Sequence, residues 1–238
     1  MLSSGPRIVA VVPTYNEREN VRPLVDGLGS TGLPNLTVLF VDDSSPDGTA
    51  DEVNAIAREG GRVRLISRPK KAGIGSAYVT GFKEALSTMS AEVVVEMDAD
   101  LQHPPGVLPR LVAEVLGGAD VALASRYVKG GTVEGWGLVR RVVSKGANFY
   151  ARRVLGLTAR DCTSGYLAYS RGAAEKLASS DLPASGFEFQ VAALLALKPN
   201  AKVVEVPFAF RSRVSGSSKL GFVDVIRFGA NVTRMALR

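Results

Sequence analysis

One cysteine, one histidine and an aromatic content of only 7% leave several functions without material in this chain of 238 residues. Cys162 alone cannot close an intramolecular disulfide, which suits a reducing compartment. No base accompanies it, so the thiol reads as a passive small residue and not as a nucleophile. Few aromatics and no recognition motif count against a nucleic-acid module. Long apolar runs are missing as well, since stretches such as "VAALLAL" fall far short of the roughly 20 residues that span a bilayer. The N-terminal "MLSSGPRIVAVVPTYN" lacks a basic region followed by a long apolar core, so no signal peptide is expected. The expectation is a cytoplasmic protein, peripheral at the cytosolic face of a membrane if it meets one.

What is present is a globular composition, 46% apolar and 22% charged, with a formal net charge of +6. That balance suits anionic partners such as phosphates, nucleic acid or a lipid surface, without choosing among them. Through the first half, short apolar runs alternate with helical patterns. "RIVAVV", "LTVLFVDD", "VRLIS", "EVVVEMD" and "DVALAS" read as strands, and the segments between them as helices. Runs so continuously apolar are buried on both faces, and the helices between them make crossovers of a mainly parallel sheet. The second half is less regular. "VRRVVSKGANFYARRVLG", "FEFQVAALLAL" and "GFVDVIRFGANVTRMALR" have helical spacing, whereas "SGYLAYS" and "AKVVEVPFAF" read as strands. No linker or repeat divides the chain, so one domain is expected.

In open α/β sheets, ligands bind beyond the carboxyl ends of the strands. Three polar clusters stand there: "PTYNE" from Pro13, "VDDSSPDG" from Val41 and "DADLQH" from Asp98. Asp98 and Asp100 are two apart, so in extended backbone their side chains share a side; Gln102 joins them if the extension passes Leu101. Two carboxylates and an amide oxygen make a hard, open site suited to Mg2+ or Mn2+. The same acids equally suit a solvated loop capping a helix that starts near Pro105. His103, next to Pro104 and Pro105, reads as a residue that shapes the loop or contacts a phosphate, ahead of metal ligation. Gly73 and Gly75 suggest a dinucleotide motif, but Tyr78 stands where G-x-G-x-x-G needs its third glycine, which disfavours a Rossmann dehydrogenase.

Taken together, "VVPTYNERENV", "VDDSSPDGTAD", "MDADLQHPP", "ASRYVKGG", "RRVVSKGAN" and "VPFAFRSRVSGSSKLG" resemble family 2 glycosyltransferases over nearly the whole chain. The likeness is to the dolichol-phosphate (polyprenol-phosphate) mannosyltransferase branch. It implies a GT-A-type α/β fold, a Rossmann-like, mainly parallel central sheet flanked by helices. Residues 1–126 would form the nucleotide-sugar half, and 127–238 the acceptor-binding and closing half. It implies inverting, metal-dependent transfer of mannose from GDP-mannose to a polyprenyl (dolichyl) phosphate. By the same resemblance, Pro13, Tyr15, Glu17, Val41 and Asp43 surround the nucleoside. Asp98, Ala99, Asp100 and Gln102 belong to the metal and diphosphate site, and Arg126 to the sugar-nucleotide pocket. Asp98, Asp100 and Arg126 are the implied catalytic residues. Arg140 and Ser144 match the acceptor-phosphate positions, and Lys219 the lysine that closes over the donor. Ser215 replaces the family's basic residue ahead of that segment's glycine, which leaves Arg211 and Arg213 upstream, and Arg213 is taken as the donor contact.

Arg140 and Ser144 are four apart, so on a helix both donate to one phosphate from one face. The bland alternative is a solvated basic helix that also carries Arg141, Lys145, Arg152 and Arg153. A general base is not conspicuous, and a phosphate acceptor does not require one, because its second pKa lies near 6. In the last helix, Arg227, Asn231, Arg234 and Arg238 share a face, which fits either an interfacial helix or an amphipathic helix packed on the core. An anchoring partner at the membrane is compatible with either. Two other readings stay open: glucosyl transfer from UDP-glucose to the same lipid, and a non-catalytic nucleotide or nucleic-acid binding module.

Overall fold

A computed structural model describes residues 5–182, 188–211 and 222–237. In chain order the elements are β1 (Ile8–Thr14), α1 (Arg18–Gly29), β2 (Leu36–Asp42), α2 (Thr49–Arg58), β3 (Val63–Ser67), α3 (Ile74–Ser87) and β4 (Val93–Glu96). A 3-10 turn at Pro105–Val107 leads into α4 (Leu108–Leu116), β5 (Val121–Ser125), β6 (Thr132–Val133), α5 (Leu138–Leu155) and β7 (Leu167–Ser170). The chain continues through α6 (Arg171–Ser179), α7 (Glu188–Leu197), β8 (Val203–Pro207), β9 (Ala209–Phe210) and α8 (Phe222–Ala236).

Seven strands form one sheet in the order β3-β2-β1-β4-β7-β5-β8. All neighbours pair in parallel except β7, which runs antiparallel to both β4 and β5. The expected mainly parallel α/β sheet is therefore present in a single domain. Outside the expected elements lie α6 and β6, and the expected strand "AKVVEVPFAF" divides into β8, in the large sheet, and β9, which pairs in parallel with β6. The start of α6 carries an N-cap signal, since the Ser170 hydroxyl accepts from the Ala173 N–H.

Strand alternation divides the core into two layers. Ile8, Ala10 and Val12 of β1 point to one side, into a cluster with Phe40, Leu24, Val53 and Leu111. Val9 and Val11 point to the other, with Leu39, Tyr78, Phe82 and Phe189. The approach of α3 to the sheet is tight at Gly81, where an added Cβ would sit 2.2 Å from Val11 Cγ1. Gly81→Ala is expected to destabilise by about 1–3 kcal/mol through overpacking, read as a lower midpoint in urea at unchanged m-value.

Among the described residues of α7, no side is polar: Phe189, Val191, Ala193 and Leu197 are all buried, so the helix lies inside the fold. α8 packs on α5 and α7. Its Phe228 and Val232 are buried, and Asn231 Nδ2 donates to Glu188 Oε1 at 2.6 Å. That half of the last helix is an amphipathic helix seated on the core.

Candidate active site

The chain winds from β1 outward to β3, then returns to place β4 on the other side of β1. A reversal of this kind opens a crevice beyond the carboxyl ends of the two central strands. Backbone strain collects at the same edge. Of four non-glycine residues with positive φ among those described, three follow the ends of β1, β2 and β4: Asn16 at 61°, Ser44 at 55° and Leu101 at 61°. Such conformations persist where surrounding structure over-determines them. Here the two loops lock one another. Asn16 N–H donates to Ser45 Oγ, Glu17 N–H to Thr49 Oγ1 and Arg18 N–H to Asp47 Oδ2.

On the expected nucleoside side, Tyr15 is 41% exposed with Lys71 Nζ 4.0 Å above its ring. Asp43 is buried against Arg68, whose Nε donates to Oδ1 at 2.5 Å, while Ala72 N–H donates to Oδ2 at 3.2 Å. This pair ties the ends of β2 and β3 to the start of α3. Its neighbour Asp42 turns inward and accepts from Thr14 Oγ1 and Ser45 N–H. Val41 and Ala99 are buried.

The acidic tip differs from the extended geometry expected of it. Extended pairing ends at Glu96, and Leu101 has a positive φ, so strand alternation does not carry Gln102 to the acids. A tight turn does that instead: Gln102 N–H donates to Asp100 Oδ1 at 3.1 Å. Gln102 Nε2 in turn donates to the Arg211 carbonyl at 3.1 Å, which brings the end of β9 to the tip. Asp98 keeps 37% of its side-chain surface exposed and accepts from Tyr78 Oη at 3.2 Å. His103 is buried, stacks on Tyr166 and accepts the Asp98 N–H on Nδ1 at 3.0 Å. The free proton of that ring therefore sits on Nε2, 3.8 Å from Asp98 Oδ2. His103 shapes the loop. Among the described residues, no three His, Cys, Asp or Glu side chains form a closed metal cage. The expected donor set, two acids and an amide, would be an open one, and hard oxygens of this kind suit Mg2+ or Mn2+ with remaining positions for water and phosphate.

Alternation from Val94 puts Glu96 on the α3 and α7 side of the sheet, fully buried. Gln190 Nε2 donates to its Oε1 at 2.7 Å and Tyr169 Oη to its Oε2 at 2.9 Å. Burial pushes the carboxyl up to about 8, helped by the charge of Asp98 and opposed by these two hydrogen bonds. The folded state thus keeps a proton that the unfolded chain releases near 4.5. Stability contributed by this group is full below pH 4.5 and is lost as pH rises towards 8. Glu96→Gln, a mimic of the protonated acid, is expected to flatten that decline, which reaches at most about 1.4 kcal/mol per pH unit for one proton. Urea melts of both proteins across the window measure it, and parallel curves would contradict the assignment.

The third cluster surrounds Arg126. Its Nε and Nη2 donate to Asp161 Oδ2 and Oδ1 at 2.7 and 2.6 Å, and its backbone N–H donates to Oδ2 at 2.8 Å. Nη2 also reaches Thr163 Oγ1 at 3.1 Å. Burial works against the Arg126 charge, but Asp161 outweighs it and raises the pKa. Rings of Tyr127, Trp136 and Phe210 surround the guanidinium at 5.4–5.5 Å. Arg126 thereby anchors the wall beside α5. Arg140 lies 3.9 Å over the Trp136 ring, and Ser144 Oγ accepts from Tyr127 Oη at 2.6 Å. The two residues share the first turns of α5, as expected from their spacing. Buried Trp136 Nε1 has no hydrogen-bond partner among the described residues. Arg213 and Lys219 lie outside the described residues.

The model of glycosyl transferase family 2 matches residues 9–178. The chain belongs to that family. It is therefore a glycosyltransferase. It is 45% identical over 218 residues to the polyprenol monophosphomannose synthase of Mycolicibacterium smegmatis, covering 90% of this chain and 81% of that protein. The undecaprenyl-phosphate mannosyltransferase of Micrococcus luteus is 38% identical over 97% of this chain and 94% of its own length. The dolichol-phosphate mannosyltransferase of Pyrococcus furiosus is 39% identical over 96% of this chain, which spans 63% of that longer protein. The fold matches that of a Pyrobaculum calidifontis mannosyltransferase solved with GDP-Man and Mn2+, at 19% identity and TM-score 0.61, over 90% of this chain and 58% of that one. It also matches glucosyl-3-phosphoglycerate synthase of Mycobacterium tuberculosis solved with Mn2+ and UDP-glucose, at 21% identity and TM-score 0.66, over 98% and 79%. Both are GT-A glycosyltransferases, and the expected GT-A fold is the one observed.

Several residues of this glycosyltransferase's site gave no sequence signal. Asp161 lies 35 positions from Arg126, and Gln190 lies 94 from Glu96. Arg68 carries nothing in its own neighbourhood to mark it as the partner of Asp43. Cys162 is buried, donates to Asn148 Oδ1 and has its pKa pushed up to about 12, chiefly by burial, so it is an inert thiol.

Proposed function

We propose that the enzyme transfers mannose from GDP-mannose to a polyprenyl phosphate with inversion at the anomeric carbon. The observation that carries this reading is the 38–45% identity, across 90–97% of the chain, to three enzymes named for mannose and polyprenyl phosphates. The half up to residue 126 holds the nucleotide sugar, and the half from 127 receives the acceptor. Pro13, Tyr15, Glu17 and Asp43 border the nucleoside. Asp98 and Asp100 with Gln102 would hold a divalent ion, Mg2+ or Mn2+, which when bound neutralises charge on the diphosphate. The Arg211 carbonyl accepts from Gln102 Nε2 at the tip, which supports a diphosphate contact from an arginine of this segment, Arg213 or Arg211.

Arg140 and Ser144 orient the acceptor phosphate on α5. At neutral pH that phosphate is largely dianionic, so an oxygen attacks the anomeric carbon without a general base. A new carbon–oxygen bond forms as the bond to the β-phosphate oxygen breaks, and GDP leaves with the electron pair. The protein's contribution is to hold two anions in line among fixed cations.

Among the described residues no helix is long and apolar enough to cross a membrane. A lipid acceptor nevertheless requires a bilayer surface. The face of α5 that exposes Leu138, Val139, Val142 and Phe149 supplies apolar contact beside basic residues. Incubation with labelled GDP-mannose, Mn2+ and polyprenyl phosphate should yield a labelled mannolipid and GDP, with the product anomer read by NMR. A parallel arm with UDP-glucose separates the donors. Label incorporated only from UDP-glucose would overturn the mannosyl reading.

A further inference from the structure

A cavity of about 470 Å3 opens between α5 and the segment that leads from β5 to β6. Arg141, Lys145 and Arg152 of α5 line it, joined by Arg160, and no acid stands in its wall. Arg126 also reaches the wall but is neutralised by Asp161. The other four cations form no ion pair with a carboxylate among the described residues. At 100° per residue, positions 141, 145 and 152 lie within roughly 40° of one another on the helix. Arg140 and Ser144 occupy the neighbouring face and do not line the cavity.

A solvated basic face would explain Arg141, Lys145 and Arg160, which are exposed. It does not explain Arg152, whose Nε is buried without a hydrogen-bond partner among the described residues. A buried charged donor left unmatched is costly, and its matching group is absent from the chain described. Arg141 is held in place by its Nη2 bond to the Val133 carbonyl at 3.0 Å. The volume falls in the range of roughly 300–1,000 Å3 typical of small-molecule sites, more than a bare inorganic ion requires. Phe149, in the same wall and 68% exposed, offers an apolar neighbour to such a ligand.

We propose that this cavity is a second anion site, separate from the acceptor phosphate, which takes a phosphate ester. The ester is either the head group of an anionic lipid or a free organic phosphate. The site does not depend on which sugar or lipid the enzyme uses.

The test uses the full chain, wild type against Lys145→Gln/Arg152→Gln. Glycerol phosphate and inorganic phosphate are titrated calorimetrically, and phosphatidylcholine vesicles with and without phosphatidylglycerol are used in flotation. We expect the double variant to weaken binding about tenfold or more, as follows from losing charge-assisted hydrogen bonds. Arg152→Lys, which keeps the charge, should retain part of it. Loss confined to glycerol phosphate and phosphate identifies a free ester, and loss confined to phosphatidylglycerol vesicles identifies a head group. Equal binding by wild type and double variant, or no binding of any probe by wild type, overturns the site. Donor titration with GDP-mannose in the same variants reads the active site separately, so failure there and failure here are distinguishable. Melting temperatures control for folding, and Arg160→Gln serves as a second variant if the double one unfolds.

Discussion

Asp100→Ala is expected to remove Mn2+-linked binding of the sugar nucleotide and to lower kcat/KM by about 10²–10³-fold, the usual cost of losing one preorganised electrostatic contact. Asp100 sits half-buried beyond β4, outside both core clusters, so the fold should survive. Alanine also removes the acceptor for the Gln102 N–H, and a turn effect has to be separated from a charge effect. Asp100→Asn does so, because it keeps an oxygen at the turn and loses the charge. Both variants should be equally impaired, and donor affinity in both should no longer respond to Mn2+. If the asparagine enzyme retains full, Mn2+-stimulated activity, the carboxylate is not a metal ligand and Asp100 serves only to bend the chain.

Asp161→Ala is expected to destabilise the protein by about 3–5 kcal/mol, because it strands the buried Arg126 guanidinium without its counter-charge. In a chain of this size that corresponds to a fall in melting temperature of roughly 10 °C. Loss of activity should follow loss of structure, since Tyr127, Trp136 and Phe210 are arranged around the same guanidinium. Removing both charges, as Arg126→Met with Asp161→Leu, should cost less than Asp161→Ala alone, since a buried pair replaced by apolar groups leaves no orphan ion. Scanning calorimetry of the wild type and the two variants makes the comparison. An unchanged melting temperature in Asp161→Ala would show that Arg126 finds other compensation.

The first half of the chain was legible because its physics is local. Each strand from β1 to β5 is a short apolar run, each helix between them has its own period, and the polar clusters stand where the runs stop. The acidic tip was legible as a group of residues but not as a shape. Its turn depends on a positive φ at Leu101 and on His103 folding back to the Asp98 N–H, neither of which alternation anticipates. The Arg140–Ser144 pair was legible from a spacing of four. What surrounds it, Tyr127, Trp136 and the ion pair to Asp161, was not.

The sequence by itself determined the layered α/β plan, the polar clusters at three strand ends and the family, since all three rest on contacts between near neighbours and on ordered motifs. Tertiary structure alone decided that β7 inserts antiparallel between β4 and β5, that Glu96 faces Gln190 and Tyr169 in the interior, and that Arg126 is bound to Asp161. The reason is common to all of them. A strand's periodicity states which residues face inward but carries neither its direction nor its neighbours, and a buried charge is made tolerable by partners drawn from any part of the chain.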